Sequence, residues 1–225
     1  MHFIKYDNSF LDTEIALQAA YAKDTSNTVV LLGGWRLSNR HTVAWYKKRY
    51  EKVIVFNQEQ ILNSDRQYVT FKYFKMMKEA DELWDYDEFN VNVLKHIRPD
   101  IKLRLLKPCA ELDAGTEDKD IDVLFYGVVN DRRRKILQFL EDAGIHVTVL
   151  EQVFGDELVP YIRKSKILLN LHKHATSLQE QARMIRWVAS NATIISEPSR
   201  KNYLHVHEVP IEHMPEQINA ILHGR

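Results

Sequence analysis

The stretch DVLFYGVVNDRRRKILQFLEDAGIHVTVL, residues 122–150, decides the fold. It opens with an apolar run that ends at Gly127 and closes with a second run, His146–Leu150. Between them, Arg132–Ala143 carries Ile136, Leu137 and Leu140 at helical spacing, and Gly144 stands where helices commonly stop. Apolar runs without alternation are strands covered on both faces, so the segment predicts a parallel strand–helix–strand unit. Downstream the pattern continues. Asp156–Ser165 predicts a helix and Ile167–Leu171 a strand. A helical stripe of Leu178, Ala182, Ile185 and Ala189 comes next, then a strand at Thr193–Ser196 and a closing helix at Pro215–Leu222.

Upstream the same alternation stands in the first half. Thr28–Leu32, which ends at Gly33-Gly34, and Lys52–Phe56 predict buried strands, with shorter ones at Glu82–Trp84 and Leu103–Leu106. Helices are expected at 10–22, with Ser9 as its N-cap, and at 41–50, 68–80 and 89–96. Residues 111–122 hold six acidic side chains around Gly115 and read as a solvated linker. The expectation is an α/β protein of two Rossmann-like, doubly wound lobes with an intervening cleft. An N-terminal lobe would span 1–110 and a C-terminal lobe 120–200, with 201–225 returning to the first lobe.

Composition narrows the function. The chain has 225 residues, 45% hydrophobic and 28% charged, enough to build a core. Lys+Arg and Asp+Glu are both 31, which argues against a dedicated nucleic-acid binder. A single cysteine, Cys109, excludes an internal disulfide framework and multi-cysteine metal sites. No apolar run reaches membrane-spanning length and the N-terminus lacks a signal-peptide pattern, so a cytoplasmic location is expected. With 7 glycines, neither a Walker A loop nor GxGxxG occurs.

Ligands of open α/β sheets bind beyond the carboxyl ends of the strands, so the residues after each run are the candidates. Gly127 lets a backbone approach a ligand, and Arg132 and Arg133 open a helix where a diphosphate would sit. Glu151 comes after the second run, at a place that suits a ribose or base edge. Asn170 ends the third and His172 stands just past it. Glu180 and Arg183 put an acceptor and a donor together at a helix start, a pattern that a Ser177–Glu180 capping box explains equally well. His172-x-His174 and His205-x-His207 place paired imidazoles on one face, but no partner at matching spacing completes a metal site.

Residues 122–172 together with EQARMIRWVASNATIISEPS (180–199) resemble the donor-binding lobe of GT-B glycosyltransferases, in particular small ones of bacterial polysaccharide clusters and large viruses. IVFNQEQ (54–60) and ADELWDYDEFNVNVL (80–94) resemble first-lobe segments of the same family, and the likeness covers roughly 50–200. Asn191-Ala192 replaces the glycine usual before the last strand, and the glutamate pair of many retaining members is not clear. The resemblance implies a metal-independent glycosyltransferase that moves a sugar from a nucleotide-sugar to a glycan or other hydroxyl acceptor, with no cofactor beyond that donor. Gly127, Arg132, Arg133, Glu151, Asn170, His172 and Arg183 would bind the donor and Glu180 its hydroxyls. Glu59 and Asp85 are the candidates to take the acceptor proton. Two rival readings are a nucleotide-binding module without catalysis and a metal-dependent GT-A transferase using Asp85-x-Asp87 or Asp118-x-Asp120.

Overall fold

The computed structural model describes residues 1–33, 42–61, 71–97, 99–106, 115–175, 178–188, 190 and 192–224, with Ser9, Phe71, Lys72, Ile97, Ala182, Ile185 and Val188 described through their backbone alone. The chain divides into two compact units, Met1–Ala110 and Glu111–Arg225. Each is built on a five-stranded sheet in which every neighbouring pair is parallel.

In the first unit the strands are β1 (His2–Lys5), β2 (Thr28–Leu32), β3 (Lys52–Asn57), β4 (Glu82–Asp85) and β5 (Lys102–Leu105). The helices are α1 (Leu11–Ala20), α2 (Val43–Lys47), α3 (Phe71–Glu79) and α4 (Glu88–Ile97). Because side chains alternate along a strand, Val29, Leu31, Val53 and Val55 face one core with Tyr46, Tyr73, Met77 and Leu94 from α2, α3 and α4. Val30, Leu32, Ile54 and Phe56 face another with Phe10 and Leu17. Helices thus cover both faces, yet the strand order β1-β2-β3-β4-β5 runs with the chain without reversing. This corrects the expectation of two doubly wound lobes: among the described residues the first unit has no switch point. Strand β1 escapes periodicity because HFIK is four residues at a sheet edge. The expected cap of α1 is also revised, since Phe10 is the N-cap residue and makes no side-chain bond. Phe10 instead fills the turn after β2, where Gly33 (φ +68°) leaves room for its ring.

The second unit holds β6 (Ile121–Tyr126), β7 (Val147–Leu150), β8 (Ser165–Asn170), β9 (Thr193–Ser196) and β10 (His207–Glu208). Its helices are α5 (Asp131–Asp142), α6 (Val159–Lys164), α7 (Gln181–Val188) and α8 (Met214–Leu222). Strand order is β10-β9-β8-β6-β7, so the direction of winding reverses at β6. Val123 and Phe125 pack with Ile136 and Leu140 of α5 and with Met214 and Ile218 of α8. Leu124 and Tyr126 pack on the other face with Ile162 of α6 and with Met184 and Trp187 of α7. Helix α8 completes the core of the second unit through its buried Met214 and Ile218.

The described buried side chains of α7 are Gln181, Met184, Arg186 and Trp187, and most of the expected stripe falls outside the described side chains. Leu178 is buried but precedes the helix, and Ala182, Ile185 and Ala189 lie outside the described side chains. The acidic stretch, over its described part, is laid along α6 and β8 rather than simply solvated. Glu117 pairs with Arg163, Asp120 with Lys164 and Asp122 with Lys166. Among the described residues, no helix is long and apolar enough to cross a membrane.

Candidate functional site

Strand order reverses in the second sheet and not in the first, and buried charged side chains gather at that reversal. Strands β7 and β8 flank β6 on opposite sides. At a reversal of this kind the flanking connections leave to opposite faces and open a crevice at the carboxyl ends. Gly127 comes directly after β6, Asn170 ends β8 and His172 lies just beyond.

Gly127 sits at φ +125°, a conformation that side chains disfavour. The space a Cβ would occupy there is faced by Arg183 Cζ at 3.7 Å and Arg133 Nη1 at 3.8 Å. Arg133 is 2% exposed. Its Nε and Nη2 donate to the Leu171 carbonyl at 3.0 and 2.7 Å, and its Nη1 to the Val128 carbonyl at 2.8 Å. Burial, and after it the charge of Arg183, pushes its pKa down to about 9, which still leaves it charged at neutral pH. Asn130 caps α5 by accepting the Arg133 N–H at 3.0 Å, and its Nδ2 ties the loop to the Lys173 carbonyl at 2.8 Å.

Arg183 differs from Arg133 in being only partly buried. Among the described residues its side chain makes one hydrogen bond, Nη1 to Asn170 Oδ1 at 3.3 Å. A guanidinium has five N–H donors, so most of the Arg183 donors are uncommitted among the described residues. Asn170 is fully buried and links the rest: its Nδ2 donates to Glu180 Oε2 at 2.9 Å and to Ser196 Oγ at 3.0 Å.

Glu180 immediately precedes α7, and its carbonyl accepts the N–H groups of Arg183 and Met184. Ser177, the other half of the expected capping box, lies outside the described residues. Oε2 lies 2.7 Å from His172 Nδ1, and Oε1 lies 3.7 Å from Arg133 Nη2. Burial alone raises a carboxyl pKa, but His172, Arg183 and Arg133 outweigh it and hold Glu180 at about 2. For His172, burial lowers the pKa, yet the charge and hydrogen bond of Glu180 leave it raised overall.

Two predicted donor ligands make hydrogen bonds within the protein. Arg132 is engaged by Glu197, with Nη1 2.8 Å from Oε1 and Nη2 against Oε2, and Nη1 also donates to the His172 carbonyl at 2.9 Å. Glu151 Oε1 accepts the Val129 N–H at 2.8 Å, which shapes the loop after β6. Glu197, 4% exposed, is the residue that sequence reasoning missed. The positions just past the strands include Gly127, Glu151 and His172, and the same rule applied to Thr193–Ser196 picks out Glu197.

The acceptor-side candidates lie in the first unit. Asp85 has no exposed surface and receives three N–H groups: Asn57 Nδ2 at 2.7 Å, Asp87 N at 2.9 Å and Asn90 Nδ2 at 3.3 Å. Burial pushes its carboxyl up to about 8 despite those three bonds. Glu59 is half-buried, and its carbonyl is clamped at 2.9 Å by both Asn57 Nδ2 and Asn90 Nδ2. Asp85 thus orders the turn that carries Glu59. Asp87, its partner in the Asp-x-Asp motif, accepts the Phe89 and Asn90 N–H groups and caps α4. Among the described residues, no group of three or more His, Cys, Asp or Glu could hold a metal ion.

The fold and the site together define an α/β protein of two parallel five-stranded sheets, with three arginines gathered near the switch point of the second. Among solved structures, the chain is similar to a point mutant of S. aureus TarM in complex with fondaparinux, α-GlcNAc-glycerol and UDP. The TM-score is 0.58 at 8% identity, over 93% of this chain and 52% of that one. A further TarM crystal structure gives 0.51 at 7% identity, over 93% and 50%. At such identities the likeness is one of fold. No protein-family model matches the chain. It is 27% identical over 169 residues to one uncharacterized protein of Acanthamoeba polyphaga mimivirus, covering 68% of this chain and 18% of that protein. To a second it is 28% identical over 158 residues, covering 63% and 21%. The chain therefore spans about a fifth of the length of these curated relatives and about half of the TarM chains.

Proposed function

We propose that the second unit binds a nucleotide-sugar and that the protein transfers the sugar to a hydroxyl of a glycan or other acceptor. One observation carries this reading: Arg183 presents uncommitted N–H groups beside Gly127 and close to the buried Arg133, at the switch point of the second sheet. Counting Arg132, Arg133 and Arg183 against Glu180 and Glu197, the site carries a net positive charge before His172 is counted, which complements an anionic diphosphate. The likeness to TarM, whose structure held UDP, supports the same ligand class.

In the proposed transfer, the bond from the anomeric carbon to the diphosphate oxygen breaks and a bond to the acceptor oxygen forms. The acceptor proton leaves to a base, and the diphosphate takes the electron pair of the broken bond. Arg183 meets the charge that develops on the diphosphate, and the Gly127 backbone lets it approach. Arg133 adds a fixed charge from beneath. Glu180 accepts from a sugar or ribose hydroxyl. The positive charge is supplied by side chains, so transfer needs no divalent cation. A second reading, nucleotide-sugar binding without transfer, is favoured by the complete burial of Asp85, which leaves Glu59 as the acceptor-side candidate with exposure.

The test is calorimetry with a panel of nucleotide-sugars and nucleoside diphosphates, and then release of nucleoside diphosphate with and without glycan acceptors. Micromolar binding with acceptor-dependent release in the presence of a chelator is the expected result. Binding without release selects the second reading, and no binding removes both.

A further inference from the structure

His172 is 1% exposed, and both of its ring nitrogens face acceptors. Nδ1 is 2.7 Å from Glu180 Oε2 and Nε2 is 3.3 Å from the Pro198 carbonyl. A neutral imidazole has one N–H and would turn a lone pair toward one of these oxygens. The imidazolium has two and satisfies both. The groups around it divide by sign. Glu180, ahead of α7, and Glu197, after β9, favour the proton, the latter also accepting the His172 backbone N–H at 2.7 Å. Arg132 and Arg133 from α5 and Arg183 from α7 oppose it. The carboxylate bonded to the ring is also the one nearest the arginines: Glu180 Oε1 lies 3.7 Å from Arg133 Nη2, and Glu180 shares Asn170 with Arg183.

We propose that His172 is a positioning residue held as an imidazolium, the counter-ion that neutralises Glu180 and leaves Arg133 and Arg183 to a phosphoanhydride ligand, so that ligand affinity falls when His172 loses its proton. The proposal rests on the nucleotide-binding reading above. When the proton leaves, the charge of Glu180 is no longer balanced by the ring and turns toward the two arginines. The ligand then competes with an internal carboxylate for Arg183, and that carboxylate also screens the buried charge of Arg133. His172 itself touches no substrate, and its effect passes through Glu180.

The experiment uses the whole chain and two probes, UDP and inorganic pyrophosphate. Imidazole 15N spectra of His172 are recorded from pH 6 to 8, below the value of about 9 at which Arg133 loses its proton, and are assigned by loss of the signal in His172→Asn. Affinity for both probes is measured by calorimetry over the same range. The expected result is a doubly protonated ring at pH 7 and affinity that falls roughly tenfold or more as the ring titrates, the order of one redistributed charged hydrogen bond. Glu180→Gln removes the charge that the ring balances, so its affinity is expected to stay level with pH. This variant also keeps the test sound if the His172 variant fails to fold. A neutral ring at pH 7, or wild-type affinity that stays level while the ring titrates, overturns the proposal and leaves nucleotide binding standing. Absence of binding by either probe at every pH overturns both.

Discussion

Arg132 and Glu197, 65 residues apart in the chain, meet fork to fork, with Nη1 2.8 Å from Oε1. The same two atoms hold both backbone groups of His172: Oε1 accepts its N–H and Nη1 donates to its carbonyl. The pair therefore ties the start of α5 to the end of β9 and fixes the peptide that carries the imidazole. Glu197→Ala leaves Arg132 and the His172 N–H without their acceptor. Breaking a buried pair costs about 3–5 kcal/mol, and the partial exposure of Arg132 puts the expected loss at about 2–3 kcal/mol. Urea unfolding measures it, and a loss under about 0.5 kcal/mol, the range of an ordinary surface change, refutes the bracing role.

Arg183→Ala is expected to do the reverse. Its side chain gives up one long hydrogen bond to Asn170, so stability should change by less than about 1 kcal/mol. If the arginine receives the diphosphate, losing a charged hydrogen bond of about 1.5–3 kcal/mol weakens UDP binding by roughly tenfold to a hundredfold. Equal UDP affinity in parent and variant would falsify the placement of the diphosphate.

At Gly127 the backbone conformation and the site make the same demand. An alanine there meets nothing closer than 3.7 Å, so steric clash is absent, but φ +125° strains any side chain. Gly127→Ala is expected to cost about 1–3 kcal/mol of stability. Its methyl group also stands in front of Arg183, so UDP affinity should fall further than stability alone explains. Unchanged affinity in the folded variant argues that the ligand approaches elsewhere.

In the first unit, Gly33→Ala puts a Cβ 2.3 Å from Phe10 Cε2 at a residue with φ +68°. Phe10→Ala leaves a void beside Leu32 and Phe56, and buried Phe→Ala changes cost about 3–5 kcal/mol. The double variant is expected to be less unstable than the sum of the two singles, because the removed ring is what the added methyl group strikes. Strict additivity in thermal unfolding contradicts the contact.

Stability should depend on pH in opposite senses for the two partners of the buried pair. Glu180 is held at about 2 against an ordinary 4.5, so its contribution is present above 4.5 and is lost as pH falls toward 2. His172 is raised from 6.5, so its contribution is present below 6.5 and is lost as pH rises through the folded value. The pair therefore contributes most between pH 4.5 and 6.5. Asp85, raised from 3.8 to about 8, adds stability at low pH that is lost as pH rises through about 8. Unfolding free energy of the wild type is expected to fall from pH 6 to 9. The fall should be shallower in Glu180→Gln, and an identical slope in both counts against the pair.

The strands and most helices were legible along the chain because local patterns specify them. Thr28–Leu32, Lys52–Phe56 and Asp122–Tyr126 are apolar throughout or nearly so, and burial of a strand on two faces needs only that. The rule that ligands lie beyond strand ends was likewise enough to pick out Gly127, Asn170 and His172, and the acceptor–donor spacing at a helix start picked out Glu180 and Arg183. The order of the strands was not legible, since each apolar run is equally able to pair on either edge. The edge strand His2–Lys5 was too short to show a period, and α8 carries an apolar face that does not say which sheet it covers. Roles within the site depended on distance alone. Arg132, Arg133 and Arg183 are the same residue type, and nothing along the chain says which of them a carboxylate 65 positions away will occupy. Charge and spacing gathered the residues, but which arginine braces, which lies buried and which faces outward was decided by the packing of α5, α7 and the end of β9 against one another, because electrostatic pairing depends on separation in space and on desolvation, and neither is written in local sequence.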